Sequence, residues 1–333
     1  MKQIIKRGSF FTLMFMLLGC LSLYAADNDL ITEQITIQLE WAGALPYRIA
    51  SSEKYPITNL KIIGEINGTD LRMIREMAGR DYRGNSTDGK LSVLDLSEAK
   101  IVEGGGCYYN DYFNNDYYTS NDVIGSYAFC GCSGLTSLTL PDGITEIGDR
   151  AFVGCSGLTS LTLPAGITSI GDDTFVGCSG LTSLTLPAGI TEIGSSAFQG
   201  CSGLTSLTLP AGITEISDFA FNGCSGLTSI YVYAENVPEI GRHAFGRVDA
   251  KKCTLYVPKE TRDDYRLSDF GNYFENIVEF DATGIDKTTT STDVEEVARY
   301  SVNGQQLSAP TNGLNIVKYS DGSVKKVANF VNK

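Results

Sequence analysis

A unit of 23 residues recurs through the middle of the chain with little change. The string GCSGLTSLTLP begins at Gly131, Gly154, Gly177 and Gly200, and a diverging fifth copy begins at Gly223. A period of about 20–29 residues that contains the pattern L-x-x-L-x-L is typical of a leucine-rich-repeat solenoid, in which each coil packs against its neighbours. Solenoids commonly provide extended binding surfaces, so the repeat favours a binding protein over an enzyme.

The same apolar positions recur in every copy: three leucines of one strand, two isoleucines of the next segment and one phenylalanine. Weaker copies of the strand at Ile57–Ile62, Leu91–Leu96, Leu255–Val257 and Val278–Phe280 extend the predicted ladder to nine strands. Thr69–Gly79 predicts a short helix. We therefore predict a β-rich solenoid, a right-handed leucine-rich-repeat fold of 23-residue coils with N- and C-terminal caps, followed by a small C-terminal β domain.

The first 25 residues are typical of an export signal. Lys2, Lys6 and Arg7 precede an apolar run at Phe10–Leu23, and small residues follow it, as in a secretory signal peptide. Lipoprotein anchoring through Cys20 is the alternative. No later segment of the sequence is long and apolar enough to span a bilayer, so the mature chain is predicted to have no transmembrane span. The prediction is an exported protein, at the cell surface or secreted, with a periplasmic location also open.

Changes in composition divide the chain into five predicted segments. They are a signal peptide at 1–25, an N-terminal cap with irregular repeats and a tyrosine-rich loop at 26–123, the repeat solenoid with its closing cap at 124–280, a linker at 281–293, and a small β tail at 294–333 that is a candidate sorting domain.

The charge of the chain excludes one class of partner. The sequence has 26 Lys and Arg against 39 Asp and Glu, a formal net charge of −13, and removal of residues 1–25 takes away only basic side chains. An acidic surface repels phosphate backbones, so no nucleic-acid partner is predicted.

Two surfaces are candidates for partner binding. In L-T-S-L-T-L the Ser and Thr side chains alternate with inward leucines, so they form outward hydroxyl rows that suit an extended polypeptide or glycan; Ser and Thr are also simply favoured on exposed sheets. The segment CYYNDYFNNDYYTSN at Cys107–Asn121 places aromatic rings on a polar loop, which suits a protein-binding hot spot or a seal over the first coil. The candidate partner-binding residues are Tyr108, Tyr109, Tyr112, Phe113, Tyr117, Tyr118, Ser137, Thr139, Ser160, Thr162, Ser183, Thr185, Ser206, Thr208, Tyr231 and Tyr233.

No catalytic residue, cofactor site or metal site is predicted. The single histidine, His243, lies at a position that varies between repeats, so we interpret it as a surface residue. Glu146, Glu192 and Glu215 recur at one position and indicate a solvated acidic face rather than a pair of acid–base carboxylates. The oxygen-bearing residues around Asp111 match no known calcium loop. The chain is therefore predicted not to be an enzyme.

Five cysteines recur with the repeat: Cys132, Cys155, Cys178, Cys201 and Cys224. Equivalent side chains in stacked coils point the same way, which suits disulfide geometry poorly. We predict small buried thiols that fill one core position per coil.

These residues resemble a known family. The unit G-C-S-G-L-T-S-L-T-L-P-x-G-I-T-x-I-(G/S) is similar to the repeats of BspA-like leucine-rich-repeat surface proteins of Bacteroidetes, the Treponema pallidum type of repeat. Leu91–Val102 and Cys253–Lys259 resemble the first and closing coils of that family. The resemblance covers roughly residues 57–280 and implies the solenoid fold. For function, it implies a surface protein with no catalytic motif, and some members of the family are adhesins.

The C-terminal tail resembles a second family. Ala298–Leu307 predicts a hairpin around Asn303–Gly304, and Ile316–Val327 predicts another around Asp321–Gly322. The tail is similar to the β domains that direct Bacteroidetes proteins through type IX secretion, although Asn315 replaces the usual aromatic residue. The resemblance implies a sorting role.

Two hypotheses of function follow from the sequence. The first is a cell-surface or secreted binding protein that adheres to host matrix proteins, glycans or other cells, so that its partner is an extracellular protein or glycan. The alternative is a non-catalytic structural or scaffold protein of the envelope.

Overall fold

The computed structural model of the protein describes residues 30–281 and four strands of the C-terminal tail. The chain forms two compact units, Met1–Ala282 and Thr283–Lys333, and each is described by itself. The predicted signal peptide with Cys20, and residues 282–293 of the predicted linker, lie outside the described residues and remain predictions. Within the part that is described, no helix is long and apolar enough to cross a membrane.

The N-terminal region combines long strands with two helices. Its elements are β1 Ile35–Gln38, α1 Leu45–Arg48, β2 Asn59–Ile66, α2 Gly68–Met77, β3 Val93–Ile101, β4 Gly104–Asn110, β5 Asp116–Thr119 and β6 Val123–Ile124. Helix α2 is the helix predicted at Thr69–Gly79. It begins at a capping box, in which the Asn67 side chain accepts the Thr69 N–H and Asp70 accepts the Asn67 N–H.

Each regular coil contributes one strand of three or four residues and one of two residues. In chain order they are β7 Ser137–Thr139, β8 Glu146–Ile147, β9 Ser160–Thr162, β10 Ser169–Ile170, β11 Ser183–Thr185, β12 Glu192–Ile193, β13 Ser206–Leu209, β14 Glu215–Ile216, β15 Ser229–Val232 and β16 Glu239–Ile240. The closing segment has β17 Thr254–Pro258, α3 Arg262–Leu267, a 3₁₀ turn at Asp269–Asn272 and β18 Asn276–Phe280. The predicted β-rich solenoid is confirmed.

Parallel strands of successive coils form two faces. The front sheet runs as β1-β2-β3-β7-β9 and continues as β11-β13-β15-β17-β18; the back sheet runs as β6-β8 and continues as β10-β12-β14-β16. Each sheet is thus interrupted once, the front sheet after β9 and the back sheet after β8. The register is regular, since Leu138 aligns with Leu161 and Leu184 with Leu207.

The nine predicted strands are all present, with two differences. Strand β1 is an additional tenth strand, which pairs Ile35 with Leu60. In the last strand Ile277, not Val278, aligns with inward Leu255, so Val278 faces outward and is 39% exposed. The irregular spacing between β17 and β18, which accommodates α3, moves the register by one residue.

Two columns of identical side chains fill the core. The rings of Phe129, Phe152, Phe175, Phe198, Phe221 and Phe245 stack nearly parallel, with centroids 5.1–5.4 Å apart. Beside them, the Sγ of Cys155 donates to the Phe129 carbonyl at 3.1 Å, and the next three cysteines repeat this bond at 3.2–3.3 Å. All eight cysteines of residues 30–281 are free, and the five predicted core thiols are buried.

Each end of the phenylalanine column is covered by different residues. At the C-terminal end Phe270 and Phe274 pack on Phe245, and the buried Tyr265 hydroxyl donates to the Ala234 carbonyl at 2.7 Å. At the N-terminal end α2 lies against the first coil through buried Arg75.

The tail unit has four antiparallel strands: β19 Glu296–Ser301, β20 Gln306–Leu307, β21 Gly313–Tyr319 and β22 Val324–Asn329. They are ordered β20-β19-β21-β22. The two predicted hairpins are therefore found, as β19–β20 and β21–β22. Their turn residues lie outside the described residues.

Candidate functional site

The predicted hydroxyl rows lie on the outward side of the front sheet. Thr139, Ser160 and Thr162 are exposed, and the other described members are half-buried. The backbone register places Ser183 and Thr185 in the same rows, opposite Ser206 and Thr208. The Ser and Thr residues of the two rows therefore lie side by side on the outer face of the sheet, as the alternation of the sequence predicts.

A third row of hydroxyls has a structural role that the sequence does not reveal. The Oγ1 of Thr136, Thr159, Thr182, Thr205 and Thr228 each donates to a backbone carbonyl of the preceding coil, at 3.0–3.4 Å. By contrast, the hydroxyls of Thr139 and Thr162 make no hydrogen bond within the described residues. One threonine per coil is therefore committed to the ladder, whereas the outward hydroxyls of Thr139 and Thr162 are available to a ligand.

The outward column that contains Thr139 changes in chemistry along the solenoid. In register order it reads Thr36, Lys61, Asp95, Thr139, Thr162, Thr185, Thr208, Tyr231, Tyr256 and Val278. Near the N-terminal end Lys61 pairs with Asp95 at 3.3 Å and with Glu98 at 2.7 Å. The column is therefore charged at one end, lined by hydroxyls in the middle and apolar at the other end.

The apolar end is an aromatic cluster on the last strands. The rings of Tyr231 and Tyr256 stack with centroids 4.5 Å apart, and Phe280 contacts Tyr231 and Tyr233 edge-on at 5.7 Å and 5.0 Å. Burial raises the pKa of Tyr231. Phe280 and Val278 are not among the candidates from sequence, because their place in this cluster depends on the register of β18.

The tyrosine-rich segment is a β-hairpin, β4–β5, and its aromatic rings divide into two groups. Tyr108 is buried, and its hydroxyl donates to the Ser126 carbonyl at 2.8 Å. Tyr109 and Tyr117 pack on Tyr127 of the first regular coil, with centroids 4.8 Å and 4.9 Å apart, and Arg75 lies 4.8 Å from the Tyr109 ring. Burial raises the pKa values of Tyr109 and Tyr117 to about 12. These three rings seal the edge of the coil.

The other three rings of the hairpin face solvent. Tyr112 is 95% exposed and Phe113 81% exposed at the tip, and Tyr118 is 54% exposed. The rings of Tyr112 and Phe113 contact each other edge-on at 5.8 Å. The alternatives left open by the sequence therefore apply to different residues: three rings pack on the coil, and three are available to a partner.

The tip is organised by Asp111. Its Oδ1 accepts the N–H groups of Phe113 and Asn115, both at 2.9 Å, and its Oδ2 accepts the Asn115 side-chain amide at 2.9 Å. This hydrogen bond from Asn115 is the main cause of a lowered Asp111 pKa. The carboxylate is thus used by the turn, as in an Asx-turn. No cluster of three or more His, Cys, Asp or Glu suited to a metal occurs among the described residues.

An acidic groove runs beside the back sheet. Glu192, Glu215 and Glu239 align on adjacent strands, and a cavity of about 340 Å³ includes Glu215, Glu239 and Asp218 in its lining. The three glutamates are exposed, which fits the predicted solvated acidic face. His243 is exposed, as predicted, and contacts the Phe219 ring at 5.2 Å.

The repeats match a family model. The model described as the BspA type leucine rich repeat region occurs in six copies at residues 109–255. The repeats of residues 109–255 are BspA-type leucine-rich repeats. This BspA-type region includes the hairpin tip and the hydroxyl rows, whereas Val278 and Phe280 lie beyond its end. No curated protein sequence matches the chain significantly.

Three crystal structures illustrate what the chain is similar to. The T. pallidum leucine-rich-repeat protein is 21% identical over 68% of this chain and 81% of its own, with a TM-score of 0.38. A leucine-rich-repeat protein from Bacteroides ovatus is 24% identical, covering 48% of this chain and 49% of its own, with a TM-score of 0.33. A leucine-rich cell-surface protein from Faecalibacterium prausnitzii is 23% identical, covering 54% of each chain, with a TM-score of 0.35.

Proposed function

We propose that the protein is an exported, non-catalytic adhesion module, at the cell surface or secreted, that binds an extracellular protein or glycan. The observation that carries the proposal is the pair of rings at the hairpin tip, Tyr112 and Phe113, which are 95% and 81% exposed. Aromatic side chains dominate the binding energy of protein interfaces, and two large exposed rings stay in water at a cost unless a partner covers them.

The tip is also pre-organised. Asp111 fixes the turn, and Tyr109 and Tyr117 anchor the base of the hairpin on Tyr127. Because the backbone is already ordered, less conformational entropy is lost when a partner binds. This arrangement supports binding rather than a purely structural role, since packing of the coil edge uses only the anchoring rings.

The front sheet supplies a second contact surface. The free hydroxyls of Thr139 and Thr162 can donate and accept hydrogen bonds, and the rows carry no charge that would have to be desolvated. An extended polypeptide or glycan chain lying across the strands is the ligand that such a surface suits. In this proposal the front sheet contributes specificity, and the aromatic rings of the hairpin tip contribute most of the binding energy.

A pair of variants tests the proposal. Tyr112→Ser combined with Phe113→Ser removes both tip rings, and Tyr47→Ser, at a residue of α1 that is 81% exposed, is the matched control. We expect the double variant to bind an immobilised basement-membrane extract or a glycan array about tenfold more weakly, while the control binds as the parent does. Equal binding by the double variant and the parent would refute the role of the tip.

Location separates adhesion from the scaffold hypothesis. We expect an external protease to degrade the protein on intact cells, because an adhesin has to face the medium. Protection of the chain until the outer membrane is broken would contradict adhesion and favour the envelope scaffold.

Deletion of residues 294–333 tests the sorting role of the tail. An unchanged amount of the protein at the cell surface would exclude that role.

A further inference from the structure

Each coil has a third side, between its back strand and the following front strand, and this side carries a column of side chains that differ from coil to coil. The backbone N–H of each of the first five column residues donates to a carbonyl at the equivalent place in the next coil, at 2.9–3.1 Å. In chain order the column is Tyr127, Arg150, Asp173, Ser196, Phe219 and His243. It is the only position of the 23-residue unit at which the four near-identical copies all differ, whereas the hydroxyl rows are the same in all four.

The backbone of this column favours glycine. All six residues have a positive φ, between 55° and 61°. In this left-handed region the Cβ atom crowds the backbone, so side chains larger than those of Asn and Asp are uncommon there. Glycine would relieve the strain, yet none of the six residues is glycine. Bulky side chains that are kept at strained positions are commonly functional.

The two halves of the column differ in what their side chains contact. In the first half, Arg150 donates to the Tyr127 hydroxyl at 2.8 Å and pairs with Asp173 at 2.9 Å. The second half presents an aromatic pair to solvent: Phe219 is 37% exposed, and the exposed His243 ring lies 5.2 Å from it. Exposed rings of this kind serve as anchors in protein interfaces.

Two arginines flank the ring pair. Arg247 follows the turn that begins at His243, and its φ is 63° at a position where the five preceding coils have glycine. An exposed arginine thus replaces the residue that this backbone conformation favours. On the other flank, the Arg242 side chain is 86% exposed and pairs with Asp218 at 3.4 Å. We call these four side chains the ring–arginine surface: Phe219, His243, Arg242 and Arg247.

The charge of this segment is opposite to that of the whole chain. Residues 242–252 contain four Lys and Arg and one Asp, whereas the chain has a net charge of −13. Exposed Arg247, Lys251 and Lys252 follow the ring pair along the chain, while the glutamates of the acidic groove precede it on the back sheet. Guanidinium groups bind carboxylates through two parallel hydrogen bonds, and a complementary charge pattern selects the partner.

We propose that the ring–arginine surface docks an acidic polypeptide segment, with an aromatic side chain of the segment on the ring pair and its carboxylates on the arginines. A long polyanion fits less well, because the rest of the chain repels it and the ring pair rewards an apolar side chain. The surface is distinct from the hairpin tip, since Phe219 lies four coils beyond Tyr127, on which the hairpin packs. The inference does not rest on the proposed adhesion function.

A synthetic peptide provides the probe. The full-length protein is titrated with fluorescein-labelled Gly-Trp-Gly-Asp-Glu-Asp-Glu-Gly. One control peptide has Gly in place of Trp, and another has Asn and Gln in place of Asp and Glu. We expect the first peptide to bind and each control to bind about tenfold more weakly. Failure of the first peptide to bind at millimolar concentration, or equal binding of the three peptides, would overturn the proposal.

Variants that restore glycine separate binding from stability. We expect Arg247→Gly to weaken peptide binding about tenfold without lowering the midpoint of urea unfolding, because glycine relieves the positive φ. Phe219→Asn removes the ring with a residue that tolerates the same φ, and it should weaken binding to a similar extent. Ser196→Gly is the matched control within the column, and Lys90→Gln, at an exposed lysine, is the control for loss of one positive charge. Neither control should change binding.

Four outcomes contradict the ring–arginine surface or its partner. Equal losses for Lys90→Gln and Arg247→Gly would show attraction by bulk charge only. A lower unfolding midpoint for Arg247→Gly would show that the arginine is kept for stability. Heparin that binds more tightly than the peptide, and is lost with the same variants, would assign the surface to an anionic glycan. A concentration-dependent dimer that Arg247→Gly abolishes would assign it to a second copy of this chain.

Discussion

At the scale of the residue, the thiol column shows how a repeated polar atom is accommodated in a core. The side chains of Cys155, Cys178, Cys201 and Cys224 are buried, and each thiol donates to a phenylalanine carbonyl of a preceding coil. Burial is the main cause of the raised pKa of Cys155 and Cys178. Since the thiolate is the reactive form, a raised pKa and loss of access both protect the column from oxidation.

The first prediction concerns the reactivity of these thiols. We expect iodoacetamide to modify the half-buried Cys107 and Cys130 in the folded protein, while the six buried cysteines react only after unfolding. Mass spectrometry of peptides after timed labelling measures this, and labelling in guanidinium chloride provides the control for complete reaction. Native labelling of Cys178 or Cys201 at the rate of Cys107 would contradict the buried column.

At the scale of the element, one arginine ties α2 to the first coil. The guanidinium of Arg75 is fully buried and donates to the carbonyls of Tyr127, Ala128, Cys130 and Asp81, at 2.8–3.3 Å. Five donors in a planar fork suit several carbonyls at a turn better than an ammonium does. The helix therefore covers the coil through hydrogen bonds as well as through its apolar face.

The second prediction follows from this contact. Arg75→Met keeps much of the volume but leaves the carbonyls of Ala128 and Cys130 without a donor, since those of Tyr127 and Asp81 also accept backbone N–H groups. We therefore expect a loss of roughly 3 kcal/mol in the free energy of unfolding. Urea denaturation measures the loss. Exposed Arg83→Met is the matched control and should change stability by less than about 0.5 kcal/mol. Equal stability of both variants would show that water replaces the Arg75 contacts.

The third prediction concerns the acid stability of the hairpin tip. The Asp111 pKa is lowered in the fold, first by the Asn115 amide, from an ordinary value of 3.8. A lowered pKa means that its stabilising effect is complete above that ordinary value and is lost as the pH falls through the lower folded value. We expect the Phe113 amide to remain protected at pH 4 and to lose protection at lower pH, as followed by NMR. Asp111→Ala should lose this protection already at pH 7, with the solenoid still folded.

The contrast between the hairpin and the coils shows what the sequence can reveal. Repeat spacing alone gives the strands, the outward hydroxyl rows and the buried thiols, because each coil repeats one local pattern. The hairpin rings depend on a distant surface: Tyr109 is covered because Tyr127 lies beside it, and Tyr112 is not. Likewise, Val278 is outward because α3 shifts the register of β18. Contacts between the regular coils and segments that do not follow the 23-residue repeat cannot be deduced from periodicity.

At the scale of the whole molecule, each coil is joined to the next by the front sheet, by the back sheet and by a third side that carries the phenylalanine column. Each of the two sheets is interrupted at one place. Between the coils of β8 and β10 the back sheet is interrupted, and the front sheet is interrupted between β9 and β11. The third side is continuous there, since Phe152 N–H donates to the Thr174 carbonyl at 2.9 Å and Gly154 N–H to the Val176 carbonyl at 2.7 Å. The ion pair of Arg150 and Asp173, at 2.9 Å, lies on the same side.

A difference in the sequence coincides with this junction. Thr174 is fully buried at a position where the other coils have alanine, namely Ala128, Ala151, Ala197, Ala220 and Ala244. Its hydroxyl donates to the Gly171 carbonyl at 2.8 Å. Thr174 does not force the coils apart, because the adjacent rings of Phe152 and Phe175 stack 5.1 Å apart, as closely as any pair in the column. The interruptions of the two sheets therefore lie away from this layer.

The fourth prediction concerns amide exchange where the back sheet is interrupted. Thr191 and Gly194 donate to the carbonyls of the preceding coil at 2.9 Å and 2.8 Å, and the equivalent amides of Thr168 and Gly171 have no such bond in the described part of the chain. We therefore expect Thr168 and Gly171 to exchange faster than Thr191 and Gly194, because opening of few contacts costs little free energy. Uniform exchange along the back sheet would show that all the coils are joined equally.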